Sequence, residues 1–148
     1  MTRLLFITAG LLVLPLAALL FAQWPLRDLV QAYSRQANDI AQILFALYMA
    51  VAVTAASRAG AHLAAGRTEA ARKSRWRAWA LAACVAPWAL FMLWSSAAPV
   101  SASLAQMEHF GETLTPGFFI IKLALWLMLA LILVDALAGL WRQRAGAE

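Results

Sequence analysis

The chain has 148 residues, 64% of them apolar and 13% charged, and carries a formal charge of +5. Soluble domains run at roughly 45–50% apolar and about 25% charged residues, so too few polar side chains are present to coat a water-facing exterior. A basic excess can point to nucleic acid, but that reading needs a basic face on a soluble fold, and no nucleic-acid partner is expected. Here the basic residues gather in short connections between apolar runs.

In chain order, the first apolar run is Leu4 to Trp24, broken only by Thr8, Gly10, Pro15 and Gln23. A spanning helix needs about 20 mostly apolar residues, and this run meets that requirement. A secretory signal peptide is the competing reading, with Arg3 before the run. The run is long, and Leu20-Phe21-Ala22 is a poor small-x-small cleavage site, so the helix is expected to stay.

Pro25 suits the first position of a new helix. Leu26, Leu29, Val30 and Tyr33 then recur at helical spacing, opposite Arg27, Asp28, Gln31, Ser34 and Arg35. This pattern predicts a short amphipathic helix over roughly 25–36, lying in the membrane interface; an irregular loop is the alternative.

The second helix is expected over 40–64. Ala52, Ala56, Gly60 and Ala64 recur every four residues in it, a spacing that lets helix backbones approach closely. The third is expected over 70–98, opened by the Glu69–Lys73 pair and with Pro87 as a kink point. The connection from Ser95 to Gly117 contains Pro99, Gly111 and Pro116, which break regular structure, and the acids Glu108 and Glu112. It reads either as a docking surface or as a plain solvated loop.

The fourth helix is expected over 117–141 and contains Lys122 and Asp135. A dozen Leu, Ile, Phe and Val residues contribute roughly −4 to −7 kcal/mol to insertion, and a central charge costs about 2.5–3.5 kcal/mol. Both charges sit one or two turns from an end, where snorkelling lowers the cost. Insertion therefore prevails, with Lys122 reaching for the outer interface and Asp135 able to pair with basic residues at the inner one.

Orientation follows from lysine and arginine. Arg3, the cluster Arg58, Arg67, Arg72, Lys73, Arg75 and Arg77, and Arg142 with Arg144 fall on one side; Arg27, Arg35 and Lys122 fall on the other. The richer side is cytoplasmic by the positive-inside rule, which puts both termini there. The expected fold is an all-α membrane protein in one domain, 1–148, with four transmembrane helices, surrounded by membrane lipids.

Chemistry is hard to find in this chain. Lys122 and Asp135 are 13 residues apart, about 20 Å along a helix, so they do not pair with each other. His62 and His109 fall on opposite sides of about 30 Å of hydrocarbon and cannot share a haem or a metal ion. Cys84, the sole cysteine, excludes an internal disulfide and lies in mid-helix as ordinary packing. The serines lack a neighbouring His and acid, and no glycine-rich phosphate loop is present. No catalytic residues and no cofactor are expected, and an enzyme is not.

Three stretches carry a resemblance: Trp24-Pro25-Leu26-Arg27, then Ala37-Asn38-Asp39-Ile40-Ala41-Gln42, then Ala55-Ala56-Ser57-Arg58-Ala59-Gly60-Ala61-His62-Leu63. The run from Pro87 to Trp94, and Ser103, Glu108, Glu112 and Pro116 followed by Ile121-Lys122, extend it. Over Trp24 to Trp141 the chain resembles the small membrane subunit of the tripartite ATP-independent periplasmic (TRAP) transporters of bacteria and archaea. It departs from that family where a Gly-Gly-Leu-Pro-like step is replaced by Glu112-Thr113-Leu114-Thr115-Pro116-Gly117.

The resemblance implies a bacterial inner-membrane scaffold. It would join a larger membrane subunit that holds the sodium and substrate sites, and a periplasmic binding protein would deliver an organic acid. Within that reading the acids of the outward-facing loop, Glu108 and Glu112, are expected to help dock the binding protein. It also makes Ala52, Ala56, Gly60, Arg58, His62, Lys122 and Asp135 candidate packing or interface positions. A self-sufficient proton-coupled exporter is the first alternative, with Asp135 its only candidate acid; a redox-complex subunit holding haem or quinone is the second.

Overall fold

A computed structural model describes residues 2–29, 35–59 and 75–145. They form four helices: α1 (Thr2–Leu29), α2 (Arg35–Ala59), α3 (Arg75–Ala105) and α4 (Phe118–Ala145). Each contains a stretch long and apolar enough to cross a membrane: Arg3–Pro25, Arg35–Ala59, Trp79–Ala105 and Phe118–Trp141. In hydrocarbon a backbone N–H has no water to bond, so each spanning segment pairs its own amides and carbonyls as a helix. The chain is an all-helical, multi-pass membrane protein.

The surface reverses the rule for soluble domains. Large apolar side chains point outward: Leu14, Phe21, Trp24, Phe91, Trp94, Leu137 and Trp141 are all exposed. Buried positions are small, with Ala41, Ala50 and Ala55 on α2, Ala82 and Ala89 on α3 and Ala124 on α4. Lipid tails are as apolar as leucine, so helices here gain from close backbone approach, which small residues permit. Leu129 and Thr54 are the largest side chains fully removed from the surface.

The helices stand in a row ordered α1–α2–α4–α3. α1 packs on α2, α2 on α4 and α4 on α3, and the other pairings make marginal contact at most among the described residues. Trp126 Nε1 on α4 donates to Ser96 Oγ on α3 at 2.9 Å and helps hold that end of the row. A row encloses no lumen, unlike a ring of four helices.

Several boundaries differ from expectation. α1 continues through Pro25 to Leu29, so residues 25–29 prolong the first helix and do not begin a separate one. Of the rest of the expected interfacial segment, residues 30–34 lie outside the described residues and residues 35–36 begin α2. α3 likewise runs through Pro99 to Ala105, placing Ser101 and Ser103, beyond the expected end at 98, on a helix. Pro25 and Pro99 each remove one intrahelical bond, and both helices continue past them. Ser95 and Ser96 both donate to the Met92 carbonyl, and Ser101 donates to that of Ala98.

The small-residue stripe also falls differently. On α2 the buried residues are Asp39, Ala41, Ala50, Thr54 and Ala55, whereas Ala52 and Ala56 are half-buried. Ala52 sits two residues beyond Ala50, roughly 200° around the helix, so close approach within the chain does not centre on the expected stripe. Gly60, His62 and Ala64 lie outside the described residues.

The connection between α3 and α4 folds as a tight hairpin. His109 and Pro116 form an isolated antiparallel bridge. Phe110 N–H donates to the Thr115 carbonyl at 2.9 Å, and Leu114 N–H donates to that of Phe110 at 2.9 Å. The Glu108 carbonyl accepts from both Gly117 and Phe118, joining the hairpin to the first turn of α4. Met107 and Leu114 adopt left-handed backbone with φ of 48° and 54°, and Gly117 has φ of 150°.

Glycine is required at 117. A β-carbon there would lie 3.1 Å from Ile43 Cδ1 and 3.3 Å from a ring carbon of Phe110, on a backbone that side-chain-bearing residues avoid. Gly117→Ala is expected to cost about 1–3 kcal/mol, read as a lower midpoint of thermal unfolding in detergent.

Candidate functional site

Polar side chains concentrate at the two ends of the row. At the hairpin end, Asp39 lies in the second turn of α2 and is 7% exposed. Its Oδ2 accepts from Thr113 Oγ1 at 2.5 Å and from Thr115 Oγ1 at 3.1 Å. A carboxylate leaving water needs donors, and the two threonines flanking Leu114 supply them from the facing loop. α2 and the hairpin are thereby tied together across a sequence separation of more than 70 residues.

A second tie involves Glu108. Its Oε2 accepts from Ser103 Oγ on the last turn of α3 and from Lys122 Nζ on the second turn of α4. The Lys122 ammonium also lies 5.4 Å from the Phe118 ring centroid. Phe118 meets Phe110 edge-on, with centroids 5.6 Å apart and planes at 82°. Phe110 is buried beneath the hairpin, giving the loop an apolar anchor between its two polar ties.

Lys122 does reach the hairpin end of its helix, where it meets a carboxylate. The consequence for the docking pair is specific. The Glu108 carboxylate is engaged inside the loop, whereas Glu112 is exposed at the turn beside exposed Leu114.

The Lys122 bond, followed by the Ser103 bond, holds the Glu108 carboxyl below its ordinary value of 4.5. A lowered folded-state value means that the tie contributes above the ordinary carboxylate value and is lost as pH falls through the depressed one. Carbon-13 titration of the glutamate carboxyls should therefore give Glu108 a midpoint below 4.5 that moves upward in Lys122→Met.

At the opposite end, Arg58 Nε on α2 donates to Asp135 Oδ1 on α4 at 2.7 Å. The two side chains are 9% and 19% exposed. Sequence alone offered Asp135 a choice of cations near that end of its helix; the packing of α2 against α4 brings Arg58 to it. On α2, Ala50, Thr54 and Arg58 share one face at four-residue spacing, and Ala50 and Thr54 are both buried.

These two clusters are far apart. On α4, Lys122 and Asp135 are separated by about 20 Å, and the twelve residues between them carry no ionisable group. On α2, nineteen positions separate Asp39 from Arg58, about 28 Å, with no acid, histidine, lysine or arginine between. His109 is exposed on the hairpin. Among the described residues, no three of His, Cys, Asp and Glu come together as a metal site.

Asp39, Thr113 and Thr115 were not among the residues singled out from the sequence. The signal was an aspartate at the start of an apolar run, with a Thr-x-Thr step in the only connection rich in hydroxyls and acids. No protein-family model, no curated protein and no solved structure matches the chain.

Proposed function

We propose that the chain is the small membrane subunit of a TRAP-type importer, a static scaffold for a larger subunit that carries sodium and an organic acid. One observation supports this above the others: the charged side chains of α2 and α4 are tied off near the two ends of the row, with about 20–28 Å of helix free of acids, histidine, lysine and arginine between them. A proton or ion path needs ionisable groups within hopping distance, and among the described residues α2 and α4 supply none between Asp39 and Arg58 or between Lys122 and Asp135. The open row fits the same reading, since a scaffold offers flat faces and needs no lumen.

In this reading both termini and the Arg58–Asp135 pair lie on the cytoplasmic side of the bacterial inner membrane, because the arginine-rich ends do. The hairpin faces the periplasm. Arg58–Asp135 holds α2 and α4 in register so that the face offered to the larger subunit keeps its shape. Affinity isolation of the tagged chain in mild detergent should recover a larger multi-spanning protein. Deleting the gene should abolish uptake of the organic acid. Undiminished uptake in the deletion strain would refute the assignment.

A soluble binding protein would meet the hairpin. Glu108 serves there as a positioning residue, while Glu112, next to exposed Leu114, presents the charge. Glu112→Lys is expected to lower uptake several-fold at low salt, with a smaller loss at high salt, and to leave thermal stability unchanged. Equal uptake at both salt concentrations would remove the hairpin from the docking surface.

A further inference from the structure

Arg58 has more donors than its neighbours use. A guanidinium carries five N–H groups in a rigid planar fork. Among the described residues Arg58 makes one hydrogen bond, from Nε to Asp135 Oδ1 at 2.7 Å, and no acceptor faces Nη1 or Nη2. The side chain is only 9% exposed, so these terminal donors have largely left bulk water without a protein group to replace it. A cation that cannot shed its proton does not escape this cost by titrating.

The terminal nitrogens are not sealed in. Among the described residues, the side-chain atoms that are both enclosed and unpartnered are Gln23 Nε2 and Thr54 Oγ1, neither of them on Arg58. The outer edge of the fork therefore opens on the surface while the rest of the side chain is covered. Ser57 and Ala59, on either side of Arg58 in the chain, are exposed, so this end of α2 is open at both flanks.

Depth indicates what the edge meets. Arg58 is the last residue but one of the α2 span, Arg35–Ala59. The headgroup layer begins there and extends roughly 5–7 Å beyond the hydrocarbon, within reach of an arginine. Two parallel N–H bonds from the end of a guanidinium match the oxygen spacing of a phosphate. We infer that the Nη1/Nη2 edge of Arg58 is a binding site for a phosphate oxyanion, supplied by a phospholipid headgroup of the adjoining leaflet. Asp135 fixes the fork through Nε and leaves that edge free. The inference is independent of the transport assignment.

The test uses the full-length chain in dodecyl maltoside, a detergent without phosphate. The thermal unfolding midpoint is followed during titration with short-chain phosphatidylglycerol, with a monogalactosyl diacylglycerol of equal acyl length, and with inorganic phosphate. Phosphatidylglycerol should raise the midpoint saturably, and the phosphate-free glycolipid should not. Arg58→Lys keeps the charge beside Asp135 and loses the fork, so its half-saturating concentration should rise at least about tenfold. Asp135→Asn keeps an acceptor for Nε and removes the competing negative charge. It should bind phosphatidylglycerol several-fold more tightly than wild type, a gain that a merely structural pair does not give. If Arg58→Lys loses helicity by circular dichroism, carbon-13 to phosphorus-31 dipolar recoupling on the wild-type chain in phospholipid bilayers replaces it and should show phosphorus in contact with Arg58 Cζ. An equal response to the glycolipid, wild-type affinity in Arg58→Lys, or no phosphorus contact at Arg58 would overturn the site. Saturation by inorganic phosphate, with nothing added by phosphatidylglycerol, would overturn the lipid as its source.

Discussion

Asp135→Leu is expected to destabilise the protein by about 3–5 kcal/mol, the largest effect of any single change considered. The side chain of Arg58 is 9% exposed, and its Nε is aimed at Asp135 from 2.7 Å. Removing the carboxylate leaves a guanidinium that cannot give up its proton in a place that water reaches poorly. Breaking a buried pair costs far more than the pair contributes over an apolar replacement, because the orphaned charge keeps its desolvation penalty. The double variant Arg58→Met/Asp135→Leu should therefore recover most of the loss. Unfolding in mixed micelles with increasing denaturing detergent measures both. A single variant within about 1 kcal/mol of wild type would show that the pair is solvated and does not hold α2 to α4.

Asp39→Ala should have the second-largest effect, about 2–5 kcal/mol, and a more local one. The change removes two charge-assisted hydrogen bonds, each worth about 1.5–3 kcal/mol, and leaves the Thr113 and Thr115 hydroxyls to find other acceptors. These hydroxyls sit beside Leu114, whose left-handed backbone persists only while its surroundings enforce it. The loss should therefore concentrate in the hairpin. Amide hydrogen exchange should accelerate at Phe110, Leu114 and Gly117, whose N–H groups bond within the loop, and stay slow in the middle of α2 and α4. Asp39→Asn, which keeps an acceptor oxygen, should lose less than half as much. Uniform acceleration along the helices would mean that Asp39 supports the whole row and not the loop.

Much of the architecture was legible because hydrocarbon imposes a simple demand. A run such as Phe118 to Trp141 is too long and too apolar for anything but a span, and its two charges lie close enough to the ends to be tolerated. Proline was the main source of misplaced boundaries. Pro25 and Pro99 read as a start and a stop by rules learned in water, where a freed carbonyl and a kink favour a break. In a membrane helix the surrounding bonds are retained, and both α1 and α3 run on for several residues.

Partners were less legible than elements. Asp135 needed a cation, but the basic stretches of the sequence offered many, and the choice of Arg58 depends on α2 packing against α4. The order α1–α2–α4–α3 is not implied by any spacing in the chain. Asp39 went unnoticed because its donors are uncharged: a search for ion pairs cannot find a carboxylate satisfied by Thr113 and Thr115. Ala52 and Ala56 are half-buried, and packing within the chain uses another face of α2. The four-residue period was genuine, and the neighbouring set of Ala50, Thr54 and Arg58 is the one whose Arg58 reaches α4.

The account depends on this polypeptide bracing a conducting partner without conducting anything itself. The purified full-length chain, sealed into liposomes with an inward sodium gradient and a radiolabelled organic acid outside, tests that claim most directly. The expected result is uptake no greater than in protein-free liposomes, with transport appearing only when the larger membrane subunit and the binding protein are added. Sodium-dependent accumulation by the chain alone would contradict it.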